Sequence, residues 1–423
     1  MKRFHWLLVA AVALGIGVQW TVSRLHRESR AAASPLAMMS EAEIRDLDIA
    51  FYERRAVEDT SSAGDRAQLA GLYMQRARTS GSFADYERAE RVARQSLNLR
   101  TAHNGQTFSL LASALLARHD FVGALRVAQR ADSLEPGNTN HTALIGEIEL
   151  ELGDYDAAAR HFSSLHFDRD QFTVAARVAR WRELTGHADA ARRLLRAAIS
   201  RVDHRDDLPK EQVAWFHYRL GELELRTGNL DSAEASFRRG LAIFPDDYRI
   251  LGGLARLESA RQQWRRAIEY GNQAVAVQLD PATLGTISDA YLALGDTAQA
   301  AQYARAMTAS ALEQPGPIHR AWGLFILDHG TSADAERVLA KTREELRTRH
   351  DVYGYDLLAW ALHHLGRETE ARVAMHRALA QHTEDPQLLR HARAIDPALA
   401  AASRTTTTVA GGAPCQSSRL TCN

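Results

Sequence analysis

The chain of 423 residues contains very little lysine and cysteine. Lysine occurs only at Lys2, Lys210 and Lys341, so all but three of the 52 basic residues are arginine. None of the three lysines has the glycines and the following Ser or Thr of a phosphate-binding loop, and no serine lies three residues before one. The only cysteines are Cys415 and Cys422. The preceding part of the chain therefore has neither a disulfide framework nor a thiolate metal site.

The sequence also lacks the common catalytic signatures. It has no G-x-S-x-G nucleophile turn, no G-x-G-x-x-G loop and no H-E-x-x-H helix. His363 and His364 are adjacent on a predicted helix and point about 100° apart, so they cannot chelate one ion together. His376 and His382 are likewise interpreted as solvated histidines. Four acidic residues span a predicted turn and favour capping over carboxylate-pair catalysis, namely Glu149, Glu151, Asp154 and Asp156. We therefore predict no enzymatic activity, no cofactor and no metal.

The charges of the chain cancel. Lys and Arg number 52, and Asp and Glu also number 52. Residues 1–30 hold five of the basic and one of the acidic side chains, so the remainder has a net charge of −4. A nucleic-acid binder normally has an excess of basic residues. The balance predicts no nucleic-acid partner, and no motif points to a small-molecule substrate.

The N-terminus has the pattern of a membrane segment. Residues 4–23 contain no Asp, Glu, Lys or Arg and follow Lys2 and Arg3. About 20 apolar residues are needed to cross the hydrocarbon core, and this run is just long enough. A cleaved signal peptide has the same layout, but the only small-x-small site, at 31–33, lies beyond the apolar run and after Arg24, Arg27 and Arg30. We favour an uncleaved signal anchor at 1–27 with residues 28–39 as a tether.

The orientation of this segment is less strongly specified. Positive charges flank both ends, so the positive-inside rule gives little bias. A signal-like start favours export, which places the rest of the chain outside the cytoplasm of a bacterial cell, with a cytoplasm-facing chain and a secreted one as alternatives. If the chain is exported and oxidised, Cys415 and Cys422 would close a loop of six intervening residues; otherwise they would remain unpaired.

A pair of small residues 12 positions apart recurs nine times at intervals of about 34 residues. The nine pairs are Ala77/Ala89, Ala112/Ala124, Gly146/Ala158, Ala179/Ala191, Gly221/Ala233, Ala255/Ala267, Ser288/Ala300, Gly323/Ala335 and Ala359/Ala371. A helix breaker such as Gly153-Asp154 or Gly228-Asn229 lies between most pair members, as expected for a C-cap followed by a new N-cap. Each unit therefore predicts two helices that cross where both carry a small residue.

These units resemble the tetratricopeptide repeat over about residues 70–398. The residues at 105–138 that carry the resemblance are Phe108, Leu111, Ala112, Leu115, Ala124, Ala128, Ala131 and Pro136. At 214–247 they are His217, Leu220, Gly221, Leu230, Ala233, Phe237 and Pro245, and at 352–385 Tyr355, Leu358, Ala359, Leu362, Ala371, Met375 and Ala378. The resemblance implies an all-α, right-handed superhelical solenoid of about nine helix-turn-helix repeats.

The ends of the repeat array have capping signals. Ser40 and Glu43 predict a capping box at the start of an N-terminal capping region at 40–69. The solenoid is predicted over 70–385. Pro386 predicts the first turn of a C-terminal capping helix at 386–402. The tail at 403–423 is of low complexity and predicted to be disordered.

In tetratricopeptide arrays the first helix of each unit lines a concave groove, and this implies the partner-binding positions. Carried onto this sequence, they are Glu147, Glu151, Arg180, Glu183, Trp215, Tyr218, Glu222, Arg226, Arg249, Arg256, Asp289, Arg320, Tyr353, Asp356 and Trp360. Trp, Tyr and Arg are common anchors of protein interfaces. Each position also fits an ordinary exposed helix residue.

The resemblance and the N-terminal segment together predict a membrane-anchored scaffold or assembly factor in the bacterial cell envelope. It would bind other proteins or peptides through the groove and contact the inner membrane through residues 4–23. The alternatives are a cytoplasm-facing regulatory adaptor and an enzyme with non-motif chemistry in the groove. An enzyme would need paired carboxylates and histidines on the groove positions, and the sequence places none there.

Overall fold

The computed structural model describes residues 39–168, 170–313 and 319–399. The chain divides into two compact units, Met1–Arg55 and Ala56–Asn423. The predicted anchor at 1–27, nearly all of the tether at 28–39 and the tail with Cys415 and Cys422 lie outside the described residues. Of the helices within the described ranges, none is long and apolar enough to cross a membrane.

The regular structure of the described residues is entirely helical. The helices are α1 Glu41–Glu58, α2 Ala63–Ser80, α3 Phe83–Leu99, α4 Gly105–Ala117, α5 Phe121–Leu134, α6 Thr139–Leu152, α7 Tyr155–Ser164, α8 Phe172–Leu184, α9 Ala188–Val202, α10 Lys210–Arg226, α11 Leu230–Ile243, α12 Tyr248–Ala260, α13 Trp264–Val277, α14 Pro281–Ala293, α15 Thr297–Glu313, α16 Arg320–His329, α17 Ser332–Glu345, α18 Val352–His364, α19 Glu368–Ala378 and α20 Pro386–Ile395.

The unit at residues 1–55 contains most of α1. Its start has the predicted capping box: the Ser40 backbone N–H donates to Glu43 Oε2 at 2.8 Å, and the Glu43 N–H donates to Ser40 Oγ at 3.2 Å. These reciprocal bonds satisfy two of the backbone donors that a helix start leaves without a partner. Ile44, Leu47 and Phe51 form an exposed apolar stripe on this helix.

In the larger unit α2 to α19 form nine consecutive antiparallel pairs, which we number one to nine. The two helices of each pair pack on each other, and most first helices also contact the first helix of the next pair. Helix α20 packs on both members of pair nine. A single helix pair cannot bury both of its faces, so the stacking produces one extended core along the series.

Both members of all nine small-residue pairs are buried, and each helix of a pair contributes one of them. A Cβ atom added at Gly221 would lie 2.4 Å from the ring of Phe237, which leaves no room for a side chain. In pair seven the Ser288 hydroxyl instead donates to the Ala300 carbonyl at 2.9 Å. Close approach of the two helices is thus seen directly in pair seven, and the burial of the small residues in all nine pairs agrees with the predicted crossings.

The turns inside eight of the nine pairs use the left-handed backbone region. Six of them have a glycine with positive φ, namely Gly81, Gly153, Gly186, Gly228, Gly295 and Gly366. His119 and Gln262 occupy the same position in pairs two and six, with φ of 63° and 59°. Glycine adopts this conformation without the steric cost that a Cβ atom brings, which is why the pattern was readable in the sequence.

Contacts between distant pairs were not predicted. The loop 346–351 before α18 packs on the turn between α6 and α7, and we call this contact the junction. There the His350 N–H donates to the Leu152 carbonyl at 2.8 Å, and the Val352 N–H donates to the Tyr155 hydroxyl at 2.8 Å. Another long-range contact joins Arg78 on α2 to the buried Glu211 on α10 at 3.1 Å. The junction therefore brings pair nine into contact with pair three, and the Arg78–Glu211 contact joins pair one to pair five.

The coarse fold prediction is confirmed, because the described part of the chain is an all-helical array of tandem helix pairs. The predicted boundary at 69/70 falls inside α2, which begins at Ala63, since Ser62 caps the helix by accepting from the Asp65 N–H. The predicted start of the last helix agrees with α20, where Asp385 caps and Pro386 occupies the first turn. The right-handed superhelical twist stays a prediction.

Candidate partner-binding cavity

The inner faces of the first helices from pair four to pair nine line an open cavity of about 700 Å³. Helices α8, α10 and α12 supply one side, and α14, α16, α18 and the start of α20 supply the other. The lining is mostly polar and charged, with three tyrosines, Tyr218, Tyr248 and Tyr353. We call this space the central cavity.

The structure brings nine of the fifteen predicted groove positions together here. They are Arg180, Tyr218, Glu222, Arg226, Arg249, Arg256, Asp289, Arg320 and Tyr353. Arg180, Glu222, Arg256 and Asp289 each directly follow the small residue of their own first helix. Because every pair crosses at that small residue, the next position points toward the same inner space in successive pairs.

The other six predicted positions do not line this cavity. Glu147 pairs with Arg177 at 2.7 Å, and Glu151 belongs to the junction, where it binds Arg349. Glu183 contacts arginines of the cavity wall, as described below. Trp215 packs against the Phe216 ring at 5.0 Å and joins the apolar core of pairs four and five.

Asp356 and Trp360 on α18 face a neighbouring helix instead of open groove. Asp356 is completely buried, and its carboxylate accepts from Arg320 Nη2 at 2.7 Å and contacts His391 Nδ1 at 2.8 Å. The Trp360 ring stacks on His391 at 4.3 Å, and its indole N–H donates to Asp328 at 2.8 Å. Helix α20 packs on this face of pair nine, and the repeat pattern in the sequence does not predict that contact.

One wall of the cavity contains more guanidinium groups than carboxylates. Glu183 on α8 lies 2.6 Å from Arg226, 3.3 Å from Arg180 and 3.4 Å from Arg219. Glu222 on α10 lies 2.6 Å from Arg256 and 3.3 Å from Arg226. Two carboxylates thus serve four arginines, which is an excess of two positive charges. We call these six residues the arginine network.

The charge excess sets the protonation of the two glutamates. Burial alone would raise the pKa of Glu183, but the guanidinium groups of Arg226, Arg180 and Arg219 lower this pKa to about 2. Burial opposes ionisation of Glu222 as well, and Arg256 and Arg226 lower its pKa. Burial lowers the pKa of Arg219 more than Glu183 raises it. The network therefore carries its full positive excess near neutral pH, because arginine stays protonated in proteins.

Two arginines of the cavity lie over the ring of Tyr353 on α18. The guanidinium carbon of Arg320 is 4.7 Å from the ring centroid, and that of Arg180 is 5.6 Å away. Cation–π contacts of this kind hold both side chains extended toward the cavity. Arg180 and Tyr353 belong to pairs four and nine, so this contact joins the two ends of the cavity wall.

Helices α14 to α20 contribute aspartates to the cavity lining. Asp289 on α14 lies 2.9 Å from His329 on α16, and Asp328 is the residue before that histidine. Burial raises the pKa of Asp289, and His329 opposes the shift. Asp280 and Asp385 lie at the helix starts and accept from the Thr283 and Gln387 backbone N–H groups at 2.8 Å and 2.9 Å.

Sequence reasoning missed several lining residues, namely Tyr248, Asp280, Asp328, Asp385 and Arg390. Asp280 and Asp385 had a usable signal, because each precedes the proline in the first turn of a helix, α14 or α20, that lines the cavity. Asp328 and Arg390 had none, since their positions depend on how α16 and α20 close the cavity.

The cavity is suited to binding charged groups. Arginine–carboxylate contacts dominate its lining, and arginine keeps its positive charge at physiological pH. Among the residues placed by the structure, no cluster of three His, Cys, Asp or Glu could hold a metal ion. The arrangement can hold anionic groups against the arginine network and cationic groups against the aspartates.

Comparison with known proteins identifies one of these units. The family model described as tetratricopeptide repeat matches residues 214–257, which include most of pair five and part of α12. This match supports the resemblance seen in the spacing of the small residues. No curated protein matches the chain.

Solved structures of low similarity come from several sources. PilW, a widely conserved type IV pilus biogenesis factor, is 19% identical with a TM-score of 0.41, over 49% of this chain and 93% of PilW. Human IFIT1, solved as a dimer with PPP-AAAA, is 14% identical with a TM-score of 0.43, over 82% and 95%. A tetratricopeptide repeat protein from Parabacteroides merdae is 15% identical with a TM-score of 0.41, over 60% and 98%. The function of none of them transfers to this chain at these values.

Proposed function

We propose that this chain is a tetratricopeptide-type binding protein that holds a segment of a partner protein in the central cavity. In this role it acts as a scaffold or assembly factor in the bacterial cell envelope. One observation carries the proposal: the first helices of six successive pairs turn charged and aromatic side chains into a single cavity of about 700 Å³. A volume of this size accommodates several residues of an extended peptide.

The wall of the cavity is held in place before any partner binds. Arg226 bonds to both Glu183 and Glu222, and Arg256 bonds to Glu222. Side chains that are fixed in this way lose little conformational entropy on binding, so more of the interaction energy contributes to affinity. Arginine and tyrosine are also the residue types enriched at the energetic centres of protein interfaces.

Filling the cavity tests the proposal. Thr286 on α14 lines the cavity, and its hydroxyl donates only to the Ala282 carbonyl of its own helix at 3.0 Å. We expect Thr286→Trp to abolish capture of an envelope protein that cross-links to the wild-type chain, because the indole occupies the space of the segment. The matched control is Ser236→Trp on α11, where the hydroxyl makes the same type of bond to Ser232 at 2.9 Å outside the cavity.

Equal capture by both variants would contradict the proposal. Thermal unfolding of each variant separates loss of binding from loss of fold, since a correctly folded Thr286→Trp variant should melt within a few degrees of the control.

The envelope location is part of the proposal and is supported by the sequence alone. Residues 4–23 are free of charged side chains, and we propose that they anchor the chain in the inner membrane with the repeats outside the cytoplasm. A reporter enzyme that is active only outside the cytoplasm, fused after residue 423, should be active. Activity of a cytoplasm-dependent reporter at the same point would favour the cytoplasm-facing adaptor instead.

A further inference from the structure

The two groups of helices that line the central cavity, α8–α12 and α14–α20, carry opposite net charge. The α8–α12 side carries five arginines and three carboxylates, once Arg219, Glu183 and the Asp247 partner of Arg249 are included with the lining residues. The α14–α20 side carries Arg320 and Arg390 against five aspartates, once the buried Asp356 is included. The first side has an excess of two positive charges, and the second an excess of three negative ones.

The positive excess lies where water has limited access. Glu183 and Glu222 are each about nine-tenths buried, and the side chains of Arg180, Arg226 and Arg256 are at most 30% exposed. A desolvated charge without a partner is costly, and a second charge of opposite sign reduces that cost. An anionic group that enters the cavity beside the arginine network therefore gains more than it would at an exposed arginine.

The aspartates decide which class of anion fits. Asp280, Asp289, Asp328 and Asp385 line the same cavity, and the described partners of Asp289 and Asp328 include no arginine or lysine. A nucleic acid or a polyphosphate carries negative charge along its whole length and would meet these carboxylates as like charges. A peptide can place an acidic side chain on one side and a basic side chain on the other.

We infer that the central cavity selects a peptide segment that carries both charges, with acidic side chains against the arginine network and basic side chains against Asp289 and Asp328. The inference rests on the proposed function and adds the chemical class of the bound segment to it. Phe325 adds to the site proposed for the basic side chain. Its ring lines the cavity 4.5 Å from the His329 ring, beside Asp289, and aromatic rings attract ammonium and guanidinium groups.

Binding of labelled peptides to the full chain tests the inference. The probes are fluorescein-labelled peptides of about ten residues with two glutamates and two lysines, separated by spacers of different length, measured by fluorescence anisotropy. The comparison peptides replace the glutamates by glutamine, or the lysines by glutamine, or both. We expect the best mixed-charge peptide to bind at least tenfold more tightly than the peptide with glutamates alone or the peptide with lysines alone.

Two variants test where the acidic and the basic side chains of the peptide bind. Arg256→Gln should weaken the mixed peptide about tenfold and leave the lysine-only peptide unchanged, while Glu222 keeps Arg226 as a partner. Asp289→Asn should weaken the mixed peptide by a similar factor and leave the glutamate-only peptide unchanged. The matched control is Arg238→Gln on the outer face of α11, where Arg238 pairs with Glu234 at 2.7 Å, and it should change none of the affinities.

Inorganic tripolyphosphate and a 5′-phosphorylated single-stranded RNA serve as polyanion probes. Tighter binding of either than of the best mixed peptide would overturn the inference, and so would equal binding of all peptides or binding of none. If Thr286→Trp still abolishes capture of the envelope partner in those cases, the proposed function stands and only the chemical class of the segment is wrong.

Discussion

The arginine network and the junction are opposite arrangements of the same charged groups. In the network, one carboxylate at Glu183 contacts three arginines, Arg180, Arg219 and Arg226. At the junction, one guanidinium at Arg349 contacts three carboxylates: Glu151 at 2.9 Å, Glu345 at 2.9 Å and Asp351 at 3.1 Å.

The protonation of the two clusters differs accordingly. The pKa of Glu183 falls to about 2, whereas burial together with the charge of Glu151 raises the pKa of Asp351 to about 6 despite Arg349. The junction also has backbone partners, since the Arg349 Nε–H donates to the Glu151 carbonyl at 2.8 Å. The junction is thus completed by the protein's own main chain, whereas the network presents unbalanced charge to an open cavity.

Removal of the shared carboxylate of the network should have the largest effect. Glu183→Gln leaves Arg180 and Arg219 without an acidic partner in the network, and we expect a loss of about 3–5 kcal/mol in the free energy of unfolding, the usual cost of breaking a buried charge cluster. Urea denaturation at pH 7.5 measures it. The control Glu234→Gln breaks partly exposed pairs with Arg238 and Arg261 and should cost about 1 kcal/mol or less. Similar losses in both variants would show that Glu183 is not the centre of the network.

A steric change should break the junction without altering its charges. At Gly153, φ is +82° and an added Cβ would lie 2.3 Å from the carbonyl carbon of His350, so Gly153→Ala should cost about 2–4 kcal/mol by the combined backbone strain and clash. The matched variant Gly295→Ala has the same φ with nothing within 4 Å, and should cost only about 1–2 kcal/mol. Urea denaturation measures both values. Equal losses would show that the junction does not contribute to the stability of the fold.

The smallest effect, and the one most specific to the junction, is on the pH dependence of the free energy of unfolding. The pKa of Asp351 rises from 3.8 to about 6 on folding, so its ionisation costs nothing below about pH 4 and has its full cost above about pH 6. Asp351→Asn removes this cost but also the contact with Arg349. We therefore expect the variant to gain about 1–2 kcal/mol relative to wild type as the pH rises from 4.5 to 7.

At the arginine network the stability contribution of the carboxylate changes with pH in the opposite direction. Glu183 is ionised in the folded state down to about pH 2, so its contribution to stability is present above about pH 4.5 and is lost only as the pH falls toward 2. Parallel pH–stability curves for wild type and Asp351→Asn between pH 4.5 and 7 would contradict the assignment of a raised pKa to Asp351.

The helix pairs could be predicted from the sequence because their signals are local. Gly221 and Ala233 lie 12 positions apart, and the crossing they permit depends on nothing outside their own pair. The inner-face positions follow from the same register, and so Arg180, Glu222 and Arg256 were found. Asp356 was interpreted as groove-lining because its position in the repeat is right, but α20 and Arg320 bury it completely.

The junction had no such local signal. Glu151 and Arg349 are 198 positions apart, and each looks like an ordinary charged residue of a helix end or a loop. Which distant pairs meet depends on the small rotation from each pair to the next, accumulated over six pairs. That sum cannot be read from the repeat pattern, because an error of a few degrees per pair changes which residues face each other.

The junction has a consequence for how the chain folds. Repeat arrays whose units touch only their neighbours can unfold one unit at a time from either end, and they fold rapidly because nearly all of their contacts are local. Here the Arg349 side chain and the His350 main chain tie pair nine to pair three, so the intervening pairs are enclosed within one large loop. Closing that loop has an entropic cost that local helix pairing does not, and the segment from pair three to pair nine should therefore melt as a single cooperative block.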